Sequence, residues 1–256
     1  MNFYAIIAQD FRSYKKKGTY FMDSESFQTP IHYTMAFIGG FLGAYSILNY
    51  SDLFAAAQTA NMIGIITTLI GGNIRDFLLR AIALLVYASA IALSVIIPKY
   101  TNIRMRRATL LIEAITVTAV SFFPKEMNRF AATYPLFFIL ALQWCVFGGA
   151  KGYNCSCIFS TNNLKQTVLA MTQYLCTKDA AQAEKAKFFG TTLVCFHAGA
   201  AVSYAAYISF GLHASLLCLL PIFVCFSLVV LSENIIWTSS SKKTSSKPSS
   251  LRTVKA

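Results

Sequence analysis

Two short polar triplets interrupt otherwise apolar sequence. Thr59-Ala60-Asn61 lies inside the run Leu53–Gly72, and Thr161-Asn162-Asn163 heads the run that ends at Leu175. Helical backbone broken inside a bilayer has to be sheltered by protein or water. Thr and Asn side chains can bond the freed N–H and C=O groups, and they can also contact a solute. A helix that starts at such a break presents a weakly positive end to an anion. Gln58, beside the first triplet, adds a further amide. These residues therefore read in two ways, as caps that tie down a break or as the lining of a solute path, and the two are compatible. The candidates for that path are Gln58, Thr59, Asn61, Thr161, Asn162 and Asn163.

Glu113 is the single carboxylate deep in an apolar run. A charge there costs at least about 2.5–3.5 kcal/mol on insertion scales, so it should face the interior and find a partner or a proton. Arg80 on the neighbouring run is one candidate partner; Arg106 and Arg107, about two turns away on the same run, are others. Glu113 reads either as a proton or cation site or as a buried structural acid. His197 sits in the small-residue patch Ala198-Gly199-Ala200-Ala201 and reads as an interhelical hydrogen bond or a proton-handling group. The three histidines are scattered. H-E-x-x-H, G-x-S-x-G and a phosphate loop ending in Lys-Ser/Thr are all missing, so no enzyme chemistry is indicated. No metal site or cofactor is expected either. The seven cysteines lie in or beside apolar runs, and Cys155-x-Cys157 has no second pair or nearby His to complete a zinc site.

The elements that must hold these residues follow from composition. Of 256 residues, 56% are hydrophobic and only 12% charged, with mean hydropathy +0.55. An ordinary soluble domain has roughly 25% charged residues. The chain is thus expected to be an all-α polytopic membrane protein whose main partner is the lipid bilayer. Runs near the roughly 20 residues a crossing needs are Ile31–Tyr50, Leu53–Gly72, Phe77–Pro98, Ala108–Pro124, Tyr134–Ala150, Cys157–Leu175, Phe188–Phe210 and Ala214–Leu231.

The net charge of +12 is distributed between these runs, which fits membrane-loop asymmetry and not nucleic-acid binding. If all eight runs crossed from a cytoplasmic N-terminus, the cluster Lys99/Arg104/Arg106/Arg107 would fall outside. If the two interrupted runs dip in and return, every strong basic cluster falls inside. The expected architecture is therefore six full spans plus two re-entrant or broken segments, with both termini cytoplasmic. Each half then makes an odd number of crossings, so repeat one (31–124) and repeat two (134–232) are inverted, as in many transporters and channels. The triplets are 102 residues apart and the Gly-Gly pairs 109 apart, so the duplication is inexact. Gly39, Gly40 and Gly43, and Gly148 with Gly149, are read as close-packing positions.

Residues 1–30 are expected to be cytoplasmic. Phe3, Ile6, Ile7 and Phe11 would form one face of a helix on the membrane surface, and the charges follow the apolar stretch, unlike a signal peptide. The Ser/Lys-rich tail, residues 233–256, is expected to be a disordered, basic cytoplasmic segment.

One resemblance bears on these readings. Phe37-Ile38-Gly39-Gly40-Phe41-Leu42-Gly43-Ala44, Gln58-Thr59-Ala60-Asn61 and Arg106-Arg107 followed by Leu110-Leu111-Ile112-Glu113-Ala114 resemble the YoaK family of bacterial membrane proteins, also called DUF1275. Phe147-Gly148-Gly149-Ala150, Ser160-Thr161-Asn162-Asn163-Leu164 and Phe196-His197-Ala198-Gly199-Ala200 extend the likeness, which spans roughly Ile31 to Leu231. The family is uncharacterised, and the resemblance implies an inner-membrane protein of bacteria. Two functional expectations stand side by side. One is a channel or secondary transporter for a small solute, with the triplets facing each other near mid-membrane; the other is a non-transporting scaffold or sensor. A homo-oligomer is compatible with both.

Overall fold

Helix ends are set by polar residues at the borders of the apolar runs. In the computed structural model, residues 21–50, 54–124 and 126–245 are described, the side chains of 21–25 and 235–245 excepted. The helices are α1 (Phe21–Asn49), α2 (Thr59–Ile70), α3 (Ile74–Tyr100), α4 (Met105–Ser121), α5 (Arg129–Val146), α6 (Thr161–Thr177), α7 (Ala180–Phe210) and α8 (Leu219–Ser245). A 3-10 turn, Gly211–Cys218, joins α7 to α8, and a two-rung hairpin, β1 (Gly149–Ala150) with β2 (Tyr153–Asn154), follows α5. Asn73 caps α3 by accepting from the Asp76 N–H at 3.1 Å, Asn128 caps α5 and Asp179 caps α7. Each cap satisfies an N–H that the first helical turn leaves without a partner.

Four helical stretches are long and apolar enough to cross a membrane: Ser26–Asn49, Ile74–Tyr100, Arg129–Val146 and Ala180–Asn234. The last has 55 residues and would be about 80 Å long as one rod, against a hydrocarbon core of about 30 Å. Gly211, at φ 55°, interrupts it where the 3-10 turn begins. α4, with 17 residues and two arginines and a glutamate, is less apolar, and its buried face carries Thr109, Leu110, Glu113, Thr116, Val117 and Val120.

Side-chain contacts fix the directions of the rods. α1 and α7 run parallel. The His32 ring stacks on Phe188 with centroids 5.3 Å apart, the Phe37 backbone meets Gly199, and the Tyr45 hydroxyl donates to the Leu212 carbonyl at 2.9 Å. α4 and α8 run antiparallel: Arg107 meets Glu233 at 2.8 Å, and Ser215, just before α8, donates to the Val117 carbonyl at 2.7 Å. α3 and α5 touch where Tyr134 donates to the Leu79 carbonyl and Arg80 lies over the Phe130 ring. The molecule thus has two ends. Gln28, Arg106, Phe147 and Gly149 gather at one, called here the hairpin end. The Tyr45–Leu212 and Ser121–His213 pairs gather at the other, the far end.

The core follows from this arrangement. Met35, Ile38, Phe41, Leu42 and Tyr45 of α1 are fully buried, as are Leu136, Ile139 and Leu140 of α5. α1 is a central post that touches α5, α7 and α8. The outward faces of α2, α3, α6 and α7 carry exposed Ile, Leu, Val and Phe, among them Ile63, Ile66, Leu85, Val95, Val168, Val194 and Ile208. Apolar residues inside and outside alike are what a lipid solvent allows.

Two boundaries differ from the sequence reading. α1 begins at Phe21, so part of the proposed 1–30 segment is continuous with the first membrane helix. α8 continues through Ser245, so residues 233–245 are helical where their composition pointed to disorder. Glu233, held by Arg104 and Arg107, carries the helix past the apolar run. The surface helix expected around Phe3–Phe11 and the last part of the tail lie outside the described residues.

Candidate functional site: two half-length helices and a buried carboxyl

The first triplet starts a half-length helix. α2 has 12 residues, about 18 Å, too short to cross the hydrocarbon core. Its approach segment lies deep in the molecule. The Phe54 ring fills the space at Gly43, the Ala55 N–H donates to Ser46 Oγ at 3.1 Å, and Tyr87 donates to the Ala56 carbonyl at 3.2 Å. Ile70 to Ile74 then turn the chain into α3, and α2 lies back along α3 with Asn61 donating to the Arg80 carbonyl at 3.0 Å. The segment therefore enters and leaves at the far end.

The second triplet repeats this design from the opposite end. After the hairpin, Cys155, Cys157 and Ile158 run through the interior, each with no exposed surface. The Cys157 carbonyl sits where a Cβ on Gly39 would be. α6 starts at Thr161 and returns along α7, Thr167 beside Gly190, to a left-handed turn at Lys178 (φ 56°). The Lys151–Glu184 contact at 3.7 Å places that turn at the hairpin end. Gly39 and Gly43, one turn apart on α1, thus seat the second and the first broken segment respectively.

The asparagines at the third helical position differ: Asn163 stitches its own break, and Asn61 ties the start of α2 to α3. Asn61, 5% exposed, donates to Gln58 Oε1 at 2.8 Å as well as to the Arg80 carbonyl. Asn163, 0% exposed, donates to the carbonyls of Ser156 at 2.7 Å and Phe159 at 3.0 Å, and Cys155 Sγ lies 3.3 Å from its Oδ1. The Ser156 and Phe159 carbonyls are ones that a continuous helix would have satisfied, whereas the Arg80 carbonyl belongs to α3. Thr59, Thr161 and Asn162 are exposed. α2 and α6 make no contact with each other, and α1 stands between the segments that lead into them. The triplets share a depth along α1 but do not meet face to face.

Glu113 occupies the middle of α4 and is fully buried. Neither carboxyl oxygen has a hydrogen-bond partner among the described residues. The expected ion pairs do not form. Arg80 lies on Gly64 and over the Phe130 ring, 4.8 Å from its centroid, and Arg107 turns to Glu233. Around Glu113, within electrostatic reach, stand three thiols: Cys157, Cys218 and Cys225. Gln143 of α5 closes this region, its Nε2 donating to the Met35 carbonyl at 2.8 Å and lying 3.4 Å from Cys157 Sγ. Gln143 was not singled out from sequence. One amide among the apolar residues of Leu136–Leu142 and Trp144 was the available signal.

His197 faces outward from α7, and its Nδ1 is 2.8 Å from the Leu193 carbonyl one turn back. It takes no part in the interior cluster. Gly40 and Gly199 do: a Cβ on either would overlap the backbone of the opposite helix, at Phe196 and Phe37 respectively. Gly148 and Gly149 have a different place from the one expected. They lead into the hairpin and are not in a helix–helix seam, and Gly149 adopts φ 147°, which favours glycine. Among the described residues no group of three His, Cys, Asp or Glu side chains is placed to hold a metal ion.

No match is found among curated proteins or among solved structures. A family model described as a protein of unknown function, DUF1275, matches residues 31–230. That match takes in both half-length helices and the buried carboxyl, and the chain belongs to the DUF1275 family.

Proposed function

We propose that the chain is a multi-pass membrane protein of inverted repeats that moves a small solute, as a secondary transporter or channel, with Glu113 as its proton-binding group. Six helices, α1, α3, α4, α5, α7 and α8, would cross the bilayer, and α2 and α6 would enter from opposite faces and return. The pairings support this reading: α1 packs on α7 as α3 packs on α5, and α2 folds back on α3 as α6 folds back on α7. The single observation that carries a transport role is Glu113, a fully buried acid at mid-helix without a cation or a hydrogen-bond donor among the described residues. Membrane proteins keep such a group where a proton or ion pathway needs it.

In this reading the hairpin end faces the cytoplasm of a bacterial cell, because it carries Lys99, Arg104, Arg106, Arg107, Lys151 and Lys178, against Arg75 and Arg129 at the far end. No catalytic step is assigned to any residue. The test is proton-driven uptake in proteoliposomes with a panel of small solutes. Flux that collapses by about tenfold or more in Glu113→Gln is expected. Absence of gradient-driven flux for every solute would leave the second reading, a scaffold or sensor. That alternative draws on Asn61 and Asn163, whose amides are committed to protein partners, Asn163 to its own break and Asn61 to Gln58 and the α3 backbone.

A further inference from the structure

The buried acid of α4 does not stand alone. Arg106, Thr109, Glu113 and Thr116 recur at helical spacing and share one face. Thr109 is fully buried, and its hydroxyl has no hydrogen-bond partner among the described residues; the same holds for Gln143 Oε1 and for both oxygens of Glu113. Buried polar groups in folded proteins are matched by protein or by water, so four orphaned oxygens on two facing helices call for internal water. At the hairpin end a void of about 10 Å³ lies among Gln28, Ile31, His32, Arg106, Phe147 and Gly149. That is about the room one water molecule needs. Next to it, sharing Gln28 and Gly149, an open groove of about 780 Å³ is lined by Ile91, Trp144, Cys145, Gly148 and the hairpin residues Ala150, Gly152, Tyr153 and Asn154.

Beyond Glu113, the buried Tyr50 hydroxyl near the far end has no hydrogen-bond partner among the described residues, whereas other hydroxyls there are committed. Val117 and Val120 are fully buried, Ser215 is committed to the Val117 carbonyl, Tyr45 to the Leu212 carbonyl, and Ser121 to His213.

We propose that a file of water runs from the hairpin groove past Arg106 and Thr109 to Glu113, so that this acid exchanges its proton with one face of the membrane only in the conformation described. The inference rests on Glu113 as the proton-binding group and adds the route and its sidedness. Thr109, about 6 Å along the helix from Glu113, is the positioning residue: its hydroxyl bridges the last waters to the carboxyl. The titratable and charged groups along the way are His32 and Arg106 at the mouth and Cys157, Cys218 and Cys225 around the acid. Arg106 places a fixed positive charge at the entrance, which disfavours metal cations and leaves water-borne proton exchange.

The test needs no solute. In the full-length protein reconstituted in lipid, the carboxylic-acid C=O stretch assigned by its loss in Glu113→Gln is followed by infrared spectroscopy after transfer to D₂O. Thr109→Val is expected to slow deuteration of that group by about tenfold, the factor that goes with one lost hydrogen bond, while Thr109→Ser restores it and Thr116→Val stays within about twofold. Equal slowing by Thr109→Val and Thr116→Val, or slowing by Thr116→Val alone, overturns the one-sided route. Absence of any band lost in Glu113→Gln overturns the proton-binding reading beneath it. Melting temperatures of all variants, measured alongside, separate a blocked route from a protein that has not folded.

Discussion

Asn163 and Asn61 have the same residue type and the same helical position, yet they hold different partners and are not equally costly to lose. Asn163 is sealed from solvent and donates to two carbonyls, so Asn163→Leu would strand both. At roughly 1–3 kcal/mol for each buried group left unpaired, the substitution is expected to lower stability by about 2–6 kcal/mol. Thermal unfolding in detergent is the measurement. Thr161→Val, two residues earlier and exposed, is expected to change the melting midpoint little, within about 0.5 kcal/mol. A larger drop for Thr161→Val than for Asn163→Leu would show that the stitching has been assigned to the wrong side chain. Part of this was legible in sequence. A polar triplet inside an apolar run announces a break, and Asn is a natural choice to close one. Which of three polar residues points inward depends on where the helix starts, and the start is set by contacts with Ser156 and Phe159 that no spacing rule contains.

At the scale of elements, glycines separate into those that seat a neighbour and those that turn the chain. Gly40 belongs to the first kind. Gly40→Ala drives a methyl into the Phe196 backbone, which cannot move aside as a flexible side chain can. The expected result is loss of folded protein, or destabilisation of about 1–3 kcal/mol or more, the range for overpacking. Gly148→Ala meets nothing closer than the Trp144 carbonyl at 3.6 Å and is expected to be tolerated. Size-exclusion profiles and melting midpoints of the two variants decide it. The sequence reading treated both Gly-Gly pairs as packing positions, because small residues four apart are the signature of close helices. The first pair is mid-helix and fits. The second is followed by Lys151 and Gly152, both with positive φ, and closes a hairpin that is two rungs long. Strands so short leave no alternation to read. The ion pair of Arg107 with Glu233 was equally out of reach, since it joins residues 126 positions apart in the chain.

For the whole molecule, the re-entrant reading makes a topological prediction. Single cysteines placed at Asn49 and Gly72, on either side of α2, are expected to react with an impermeant thiol reagent from the same face of sealed vesicles. One at Ile103 is expected to react from the opposite face. Labelling of positions 49 and 72 from opposite faces would make α2 a full crossing, and the inverted arrangement would go with it. The basic clusters carried this inference at the level of sequence; in the structure α2 packs along α3 and α6 along α7.

The pairing of α1 with α7 has a consequence for synthesis. The face of α1 that holds Gly40 has its partner about 150 residues downstream, at Phe196 and Gly199. Contacts so distant along the chain form late. While the ribosome is still making the intervening segments, that notched face has only lipid or an insertion factor to cover it. A nascent polypeptide arrested at Lys178 would hold every feature of the first half and still lack the rod that locks its opening helix in place. Such arrested chains are expected to be rapidly degraded in cells, and co-expression of a fragment beginning at Asp179 is expected to rescue them.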